Sequence, residues 1–317
     1  MDVRVLITDN DLGDSGFEVE LLRRSLDAQV FVRSCRTEAD VLEAVAEVNP
    51  HAMIVQWAPV TGAVLDAAPA CRLVSRVGIG LDMVDLTAAE ARRVIVRNVP
   101  HYCTEEAATH AVALGLSLWR RLPAFDGGVR GGEWNASATA GQIMRLSTAT
   151  VGLIGMGRIG RLVADAYAVW GARVIVHDPV HGDDPYDRVS LDVIAAESDL
   201  ISLHAPLLAE THHIVDGGFL SGTRRRPYLV NVSRGELVDT VSVAEALTEN
   251  RLAGAGIDVF EVEPLAVEHP LRHAPNTILT PHAAWCSADA LPELRRGAVM
   301  NVVEAFGSFS KSAEVTP

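Results

Sequence analysis

Between Ala149 and Asp178 an apolar run, Thr150-Val-Gly-Leu-Ile154, leads into Gly155-Met-Gly157-Arg-Ile-Gly160 and a helix-forming segment. A second apolar run, Arg173-Val-Ile-Val-His177, then ends on Asp178. Strand, glycine turn, helix, strand and terminal acid form a whole dinucleotide-binding βαβ unit, not its glycines alone. Gly155 permits the tight turn, Gly157 lets backbone N–H groups and the positive helix end approach a pyrophosphate, and Gly160 lets the helix lie against the strand. Arg158 and Ile159 stand inside the turn, with Arg158 in reach of phosphate oxygens. Asp178, followed by Pro179, would accept hydrogen bonds from the adenosine ribose hydroxyls. A carboxylate there repels a 2′-phosphate and no Arg stands directly beside it, so the expected cofactor is NAD rather than NADP.

A chain of 317 residues is long enough for two domains, each with its own core. No segment approaches the roughly eighteen uninterrupted apolar residues of a membrane span, and the chain reads as soluble. Its formal net charge of −14 argues against nucleic acid, and the one basic run, Arg224-Arg225-Arg226, reads as a solvated turn. The N-terminus is an immediate strand with an early acid and shows no secretory signal, so the expected location is cytoplasmic. Cys35, Cys71, Cys103 and Cys286 lie far apart without any C-x-x-C pair, which predicts reduced thiols, no metal site and no disulfide framework.

The first hundred residues alternate strand-like and helical stretches: Val3 to Thr8, Phe17 to Asp27, Gln29 to Arg33, Thr37 to Val48, Ala52 to Gln56, Leu73 to Val77, and Val94 to Asn98. Such alternation predicts βαβ units around a parallel sheet. Thr104 to Arg121 reads as a long, largely buried connector helix that Thr104 could cap, and Gly127-Gly128 with Gly131-Gly132 mark a loop carrying Trp134. The alternation resumes through Asp199 to His204, Tyr228 to Val232, Gly254 to Asp258 and Asn276 to Thr280. Ala288 to Phe306 is a last helix suited to packing back on the first domain, and Gly307 to Pro317 reads as a frayed tail. The expected fold class is α/β with two doubly wound parallel-sheet domains.

In open parallel sheets ligands bind at the carboxyl ends of strands. Three polar residues fall there: Arg234 after one strand, Glu263 after the next, and His282 after the last. Singly, each has a bland reading, as a surface ion-pair arginine, a solvated loop acid and a turn histidine. Together, a cation, a carboxylate and an imidazole suit binding a substrate carboxylate, holding a histidine protonated and donating a proton.

In sequence order the motifs are Gly-x-Gly-x-x-Gly, Asn231-Val-Ser-Arg-Gly-Glu-Leu-Val-Asp239, Gly256-Ile-Asp-Val-Phe-Glu-Val-Glu-Pro264 and Leu279-Thr-Pro-His-Ala-Ala-Trp285. That series resembles the D-isomer-specific 2-hydroxyacid dehydrogenase family. The His-Ala-Ala-Trp segment, and Asn98-Val-Pro100 followed by Glu105-Glu106, look most like its C-terminal-binding-protein branch. The resemblance implies a Rossmann NAD-binding domain, residues 100–285, inserted into a flavodoxin-like substrate domain of residues 1–99 and 286–317. It assigns Arg234 to the substrate carboxylate and carbonyl oxygen, His282 to general acid/base work, and Glu263 to the partner that raises the histidine's pKa. It places the backbone N–H groups of Gly78 and Ile79, within Val77-Gly-Ile-Gly-Leu-Asp82, on the other side of the substrate carboxylate. It puts His204, Ala205, Pro206, Thr211 and Asp258 beside the cofactor. Trp285, three residues after His282, reads either as a core tryptophan or as a wall of the substrate pocket that restricts its size. Three positions depart from the family's habit: Met83 for Asn, Ala111 for Thr, and Pro227 for a glycine turn. The implied activity is hydride transfer between NAD(H) and a small 2-hydroxy or 2-oxo acid, in a homodimer. Two alternatives stand beside it: a same-fold dehydrogenase of phosphite, formate or a phosphonate, and an NAD(H)-sensing scaffold without turnover.

Overall fold

The computed structural model describes residues 3–140, 143–180 and 182–312. The chain divides into two compact units, Met1–Tyr102 with Ser287–Pro317, and Cys103–Cys286.

The first unit holds β1 (Arg4–Ile7), β2 (Gln29–Val32), β3 (Ala52–Val55), β4 (Leu73–Arg76) and β5 (Ile95–Arg97) in the order β2-β1-β3-β4-β5. All pairings are parallel. The central strands β3 and β4 are buried throughout, as expected of a parallel sheet whose crossover helices cover both faces. The helix Glu38–Val48 starts on a capping box: Thr37 accepts from the Asp40 N–H while the Asp40 carboxylate accepts from the Thr37 N–H. The last helix, Ala290–Ser312, returns to this sheet. Ser75 donates to the Ala298 carbonyl at 2.8 Å, Asn301 bridges Ser75 and the Asn98 carbonyl, and Gly297 lies so close to Val99 that a Cβ would come within 2.6 Å of it. The helix continues through residues 307–312, where the sequence reads as frayed; residues 313–317 lie outside the described residues.

The second unit is a seven-stranded sheet of β6 (Thr150–Ile154), β7 (Arg173–His177), β8 (Asp187–Arg188), β9 (Leu200–Leu203), β10 (Tyr228–Asn231), β11 (Gly254–Ile257) and β12 (Thr277–Leu279). Its order is β12-β11-β10-β9-β6-β7-β8, again all parallel. The winding reverses between β6 and β9, the switch point where such sheets open a crevice.

The connector helix, Thr104–Trp119, packs Ala108, Ala111 and Leu114 into the core formed by Val151, Leu153, Tyr167 and Leu200. Small residues make this approach possible. A Cβ on Gly115 would stand 2.2 Å from the Tyr167 hydroxyl, and one on Gly256 would meet Leu114 at 3.0 Å. Three local expectations are corrected. Thr104 is the first helical residue rather than the cap, a position held by Cys103. Gly127 and Gly128 lie within a helix, Leu122–Arg130, because left-handed Arg121 (φ 54°) turns the chain and Pro123 then favours a helical first turn. Arg225 is likewise no merely solvated residue, since its guanidinium pairs with buried Asp199 at 2.8 Å. Cys35, Cys71 and Cys103 are buried and Cys286 is exposed. Among the described residues no helix is long and apolar enough to cross a membrane, and no group of His, Cys, Asp and Glu could hold a metal ion.

Candidate active site

One register row crosses the second sheet through His177, Ile154, Leu203, Asn231, Ile257 and Leu279. Because all strands point the same way, the residues just past this row emerge on one edge. They are Asp178, Gly155, His204, the Arg234 loop, Asp258 and the His282 loop.

At the switch point Gly155 has φ 98°, a backbone state that glycine reaches without strain. A Cβ there would lie 2.5 Å from both the His204 carbonyl carbon and the Ala205 nitrogen. A Cβ on Gly160 would lie 2.4 Å from the Gly155 oxygen, whereas one on Gly157 meets nothing within 4 Å. Gly157 caps the helix Arg158–Val169 with no side-chain hydrogen bond, leaving the first-turn N–H groups beside that open space. Arg158 is exposed, and Ile159 packs partly into the core. Asp178 accepts from the Met156 N–H at 2.6 Å and the Val180 N–H at 2.7 Å, so it anchors the turn while each oxygen keeps a further lone pair. Pro179 beside it is exposed. The open cradle, the helix start without a side-chain cap bond and the terminal acid fit a dinucleotide.

Below the turn, His204 shares Nε2 with Ser202 Oγ at 2.9 Å, and its Nδ1 is enclosed without a hydrogen-bond partner. Burial pushes its pKa down to about 3, so it is a neutral imidazole. Ala205 is buried and Pro206 exposed. The Thr211 hydroxyl closes its own loop, donating to the Pro206 carbonyl at 2.7 Å and accepting from the Leu208 N–H at 2.8 Å.

Asn231, fully buried, shapes the next loop: its Nδ2 donates to the Arg234 carbonyl at 2.8 Å and its Oδ1 accepts from the Ser233 N–H at 3.0 Å. Ser233 in turn donates to the Leu203 carbonyl on β9 at 2.8 Å. Arg234 therefore projects from a backbone fixed at three points. Gly235 allows this loop to lie on the next one, since a Cβ would stand 1.9 Å from the Phe260 carbonyl carbon.

His282 and Glu263 form a pair, Nδ1 to Oε2 at 2.8 Å, with side-chain exposures of 26% and 32%. The other oxygen of Glu263 accepts from the Phe260 N–H at 3.0 Å. Burial pushes the Glu263 carboxyl up, but the His282 hydrogen bond and charge, the Phe260 N–H and the Arg234 charge outweigh it, and the net shift is below the ordinary carboxylate value. His282 sits in the left-handed region at φ 52°, held by its N–H donating to the Asp258 carbonyl at 2.8 Å.

Asp258 has no exposed surface. Its Oδ1 accepts from the Thr280 hydroxyl at 2.5 Å and the Ala283 N–H at 2.8 Å, and its Oδ2 from the Ala284 N–H at 2.9 Å. The acid that the resemblance sets beside the cofactor is thus engaged in shaping the loop that bears His282 and half-buried Trp285. Sequence reasoning missed three contributors: Asn231, Gly235, and His110, whose Nε2 lies 3.1 Å from Thr280 Oγ1 and 3.6 Å from Asp258 Oδ1. Asn231 and Gly235 stood inside a quoted motif; His110 is brought in by the connector helix and left no local signal.

In the first unit Gly78 has φ 140°, and its N–H donates to the Arg76 carbonyl at 3.1 Å. That donor, expected to face a substrate carboxylate, is turned into its own chain. Half-buried Ile79 accepts from Asn98 Nδ2 at 2.6 Å through its carbonyl.

Residues 112–284 match the family described as D-isomer specific 2-hydroxyacid dehydrogenase, NAD binding domain. Over 256 residues the chain is 39% identical to D-3-phosphoglycerate dehydrogenase of Mycobacterium tuberculosis, a match covering 79% of this chain and 48% of that one, so it spans about half the length of that relative. Over 266 residues it is 35% identical to glyoxylate reductase of Korarchaeum cryptofilum, covering 82% of this chain and 79% of the relative. The crystal structure of D-lactate dehydrogenase from Aquifex aeolicus, complexed with NAD and lactic acid, matches with a TM-score of 0.85 at 27% identity over 99% of both chains.

Proposed function

Because the chain belongs to the D-isomer-specific 2-hydroxyacid dehydrogenase family and carries its NAD-binding domain, we propose that it interconverts a small 2-oxo acid and its D-2-hydroxy acid. The observation that carries this reading is the 2.8 Å His282–Glu263 pair, set on the same sheet edge as Arg234 and the glycine turn. Gly155, Gly157, Gly160 and Asp178 would hold NAD(H), which supplies or accepts the hydride when bound.

The remaining work falls to the chain's own side chains. A carboxylate only accepts, so Glu263 fixes the proton of His282 on Nδ1 and leaves Nε2 for substrate. In reduction the imidazolium N–H at Nε2 donates to the substrate oxygen as negative charge develops there. In oxidation the neutral ring takes the hydroxyl proton back. Arg234 offers a planar fork that binds two carboxylate oxygens and orients the carbonyl. Trp285, three residues past His282, would wall the side-chain pocket and favour an apolar, sulfur-bearing or cationic substituent.

The test is NADH oxidation at 340 nm over a panel of 2-oxo acids. Turnover is expected with NADH and at least about tenfold less with NADPH, because the Asp178 charge opposes a 2′-phosphate. Tight NADH binding with no turnover of any 2-oxo acid would overturn the reading. It would return attention to the other small anions, and then to the scaffold role suggested by the resemblance of His282-Ala-Ala-Trp285 to the C-terminal-binding-protein branch.

The same proposal includes a homodimer formed through the second unit. Leu122 and Val129 on the helix after the connector are 53% and 54% exposed, and Trp134 is 89% exposed. Exposed apolar side chains within one short stretch of sequence suit burial against a second copy of the chain. Light scattering should give about twice the 33.9 kDa chain mass; a value near the chain mass would exclude the dimer.

A further inference from the structure

A further imidazole–carboxylate pair lies in the same unit, apart from His282 and Glu263. His213 Nε2 stands 2.7 Å from Glu261 Oε1. The other oxygen, Oε2, accepts from the Thr240 backbone N–H at 3.2 Å and from the Thr240 hydroxyl. Because the Thr240 proton goes to Glu261, the Thr240 oxygen is the acceptor for His269 Nε2 at 3.2 Å. Thr240 is 1% exposed, so these bonds form largely out of water. Burial pushes the Glu261 carboxyl up, but the hydrogen bonds from Thr240 and His213 outweigh it and hold it below the ordinary value. Glu261 is therefore ionised, and its hydrogen bonds are of the strong, charge-assisted kind.

What distinguishes this carboxylate is which segments it joins. His213 ends the loop after β9 that runs from His204 through Thr211; it is left-handed at φ 49° and its N–H donates to the Glu236 carbonyl at 2.8 Å. Thr240 opens the helix that follows the Arg234 loop. Glu261 itself lies between Phe260, whose N–H binds Glu263, and Glu263. The His212 ring stacks on His213 at 4.1 Å, and Asp239 caps the next two N–H groups of the helix, which leaves the Thr240 N–H to Glu261.

We propose that Glu261 and His213 are positioning residues: a clasp that sets the Arg234 loop against the Glu263–His282 pair and ties both to the loop after β9. Its catalytic half rests on the dehydrogenase reading; its cofactor half does not.

The test compares Glu261→Gln, His213→Leu, His213→Gln and the double variant Glu261→Gln/His213→Leu in the full chain. It reads NADH Kd by fluorescence titration as well as kcat and KM. Glu261→Gln should lower kcat about tenfold or more and weaken NADH about threefold or more, with KM for the 2-oxo acid moving less than kcat. His213→Leu should do the same, whereas His213→Gln, which returns an N–H donor to the same place, should recover to within about threefold of wild type. The double variant should be no worse than Glu261→Gln, since both remove one interaction. Wild-type kcat and Kd in Glu261→Gln, equal damage in the two His213 variants, or additive losses would each overturn the clasp. If Glu261→Gln fails to fold, the two His213 variants decide alone. If the wild type reduces no 2-oxo acid, the functional reading fails separately, and the NADH affinities still decide the clasp by the same criteria.

Discussion

Replacing His282 by alanine should lower kcat for 2-oxo acid reduction about 10²- to 10⁴-fold, the usual contribution of a positioned general acid, while NADH affinity stays within about threefold. The expectation follows from placement. His282 leaves the sheet at the end of β12, and its Nδ1 is committed to Glu263 at 2.8 Å, which sets the orientation of the ring. Glu263→Gln should cost less, about tenfold to a hundredfold, because the amide oxygen still accepts from Nδ1 but no longer places a full negative charge beside the ring during proton transfer. The double variant should be little worse than His282→Ala, since the carboxylate acts through the ring. The direction of the Glu263 shift also fixes a pH window. Its folded pKa lies below the ordinary 4.5, so its stabilising contribution is present above about pH 4.5 and is lost as pH falls through the folded value. Glu263 thus remains ionised throughout the neutral range. Retention of more than about a tenth of wild-type kcat by His282→Ala would remove the ring from the proton-transfer step.

Strands were readable wherever they are buried on both faces. Ala52–Val55 and Leu200–Leu203 are unbroken apolar or small runs, which only a covered parallel strand tolerates. The edge strand Asp187–Arg188 has no such run; it exists through pairing with Ile175 and Val176 and escaped the reading. The helix Leu122–Arg130 was hidden for a different reason. Its glycines signal a loop locally, and the deciding features are a left-handed Arg121 and a proline in the first turn, whose effect depends on a backbone angle that sequence does not display. In the site, residues whose chemistry is unusual for their place stood out: a cation, an acid and an imidazole at successive strand ends. The residues that hold them did not. Gly235, Glu261 and His110 act through distances of a few ångströms to segments remote in sequence, and those exist only once the sheet has brought β9 to β12 side by side.

Asp258 is where these two kinds of information meet, and Asp258→Asn separates them. Its carboxylate receives the Thr280 hydroxyl and the N–H groups of Ala283 and Ala284, all buried or half-buried. An amide in the same place has one oxygen that accepts and one nitrogen that only donates, so at least one backbone N–H of the His282 loop loses its partner in either amide orientation. A buried donor left unsatisfied costs about 1–3 kcal/mol, which for a unit of this size lowers Tm by about 5 °C. The larger effect should be on catalysis. His282 is left-handed and tied by its own N–H to the Asp258 carbonyl, so a loop that relaxes by even about 1 Å takes Nε2 out of line with the substrate oxygen. The expected result is a kcat lowered about a hundredfold with NADH Kd raised less than tenfold, read by steady-state kinetics and fluorescence titration on the same preparation. A collapse of NADH affinity with saturated kcat intact would instead make Asp258 principally a cofactor contact, as the family resemblance alone suggests. The enclosure of both its oxygens by the chain's own donors favours the first outcome.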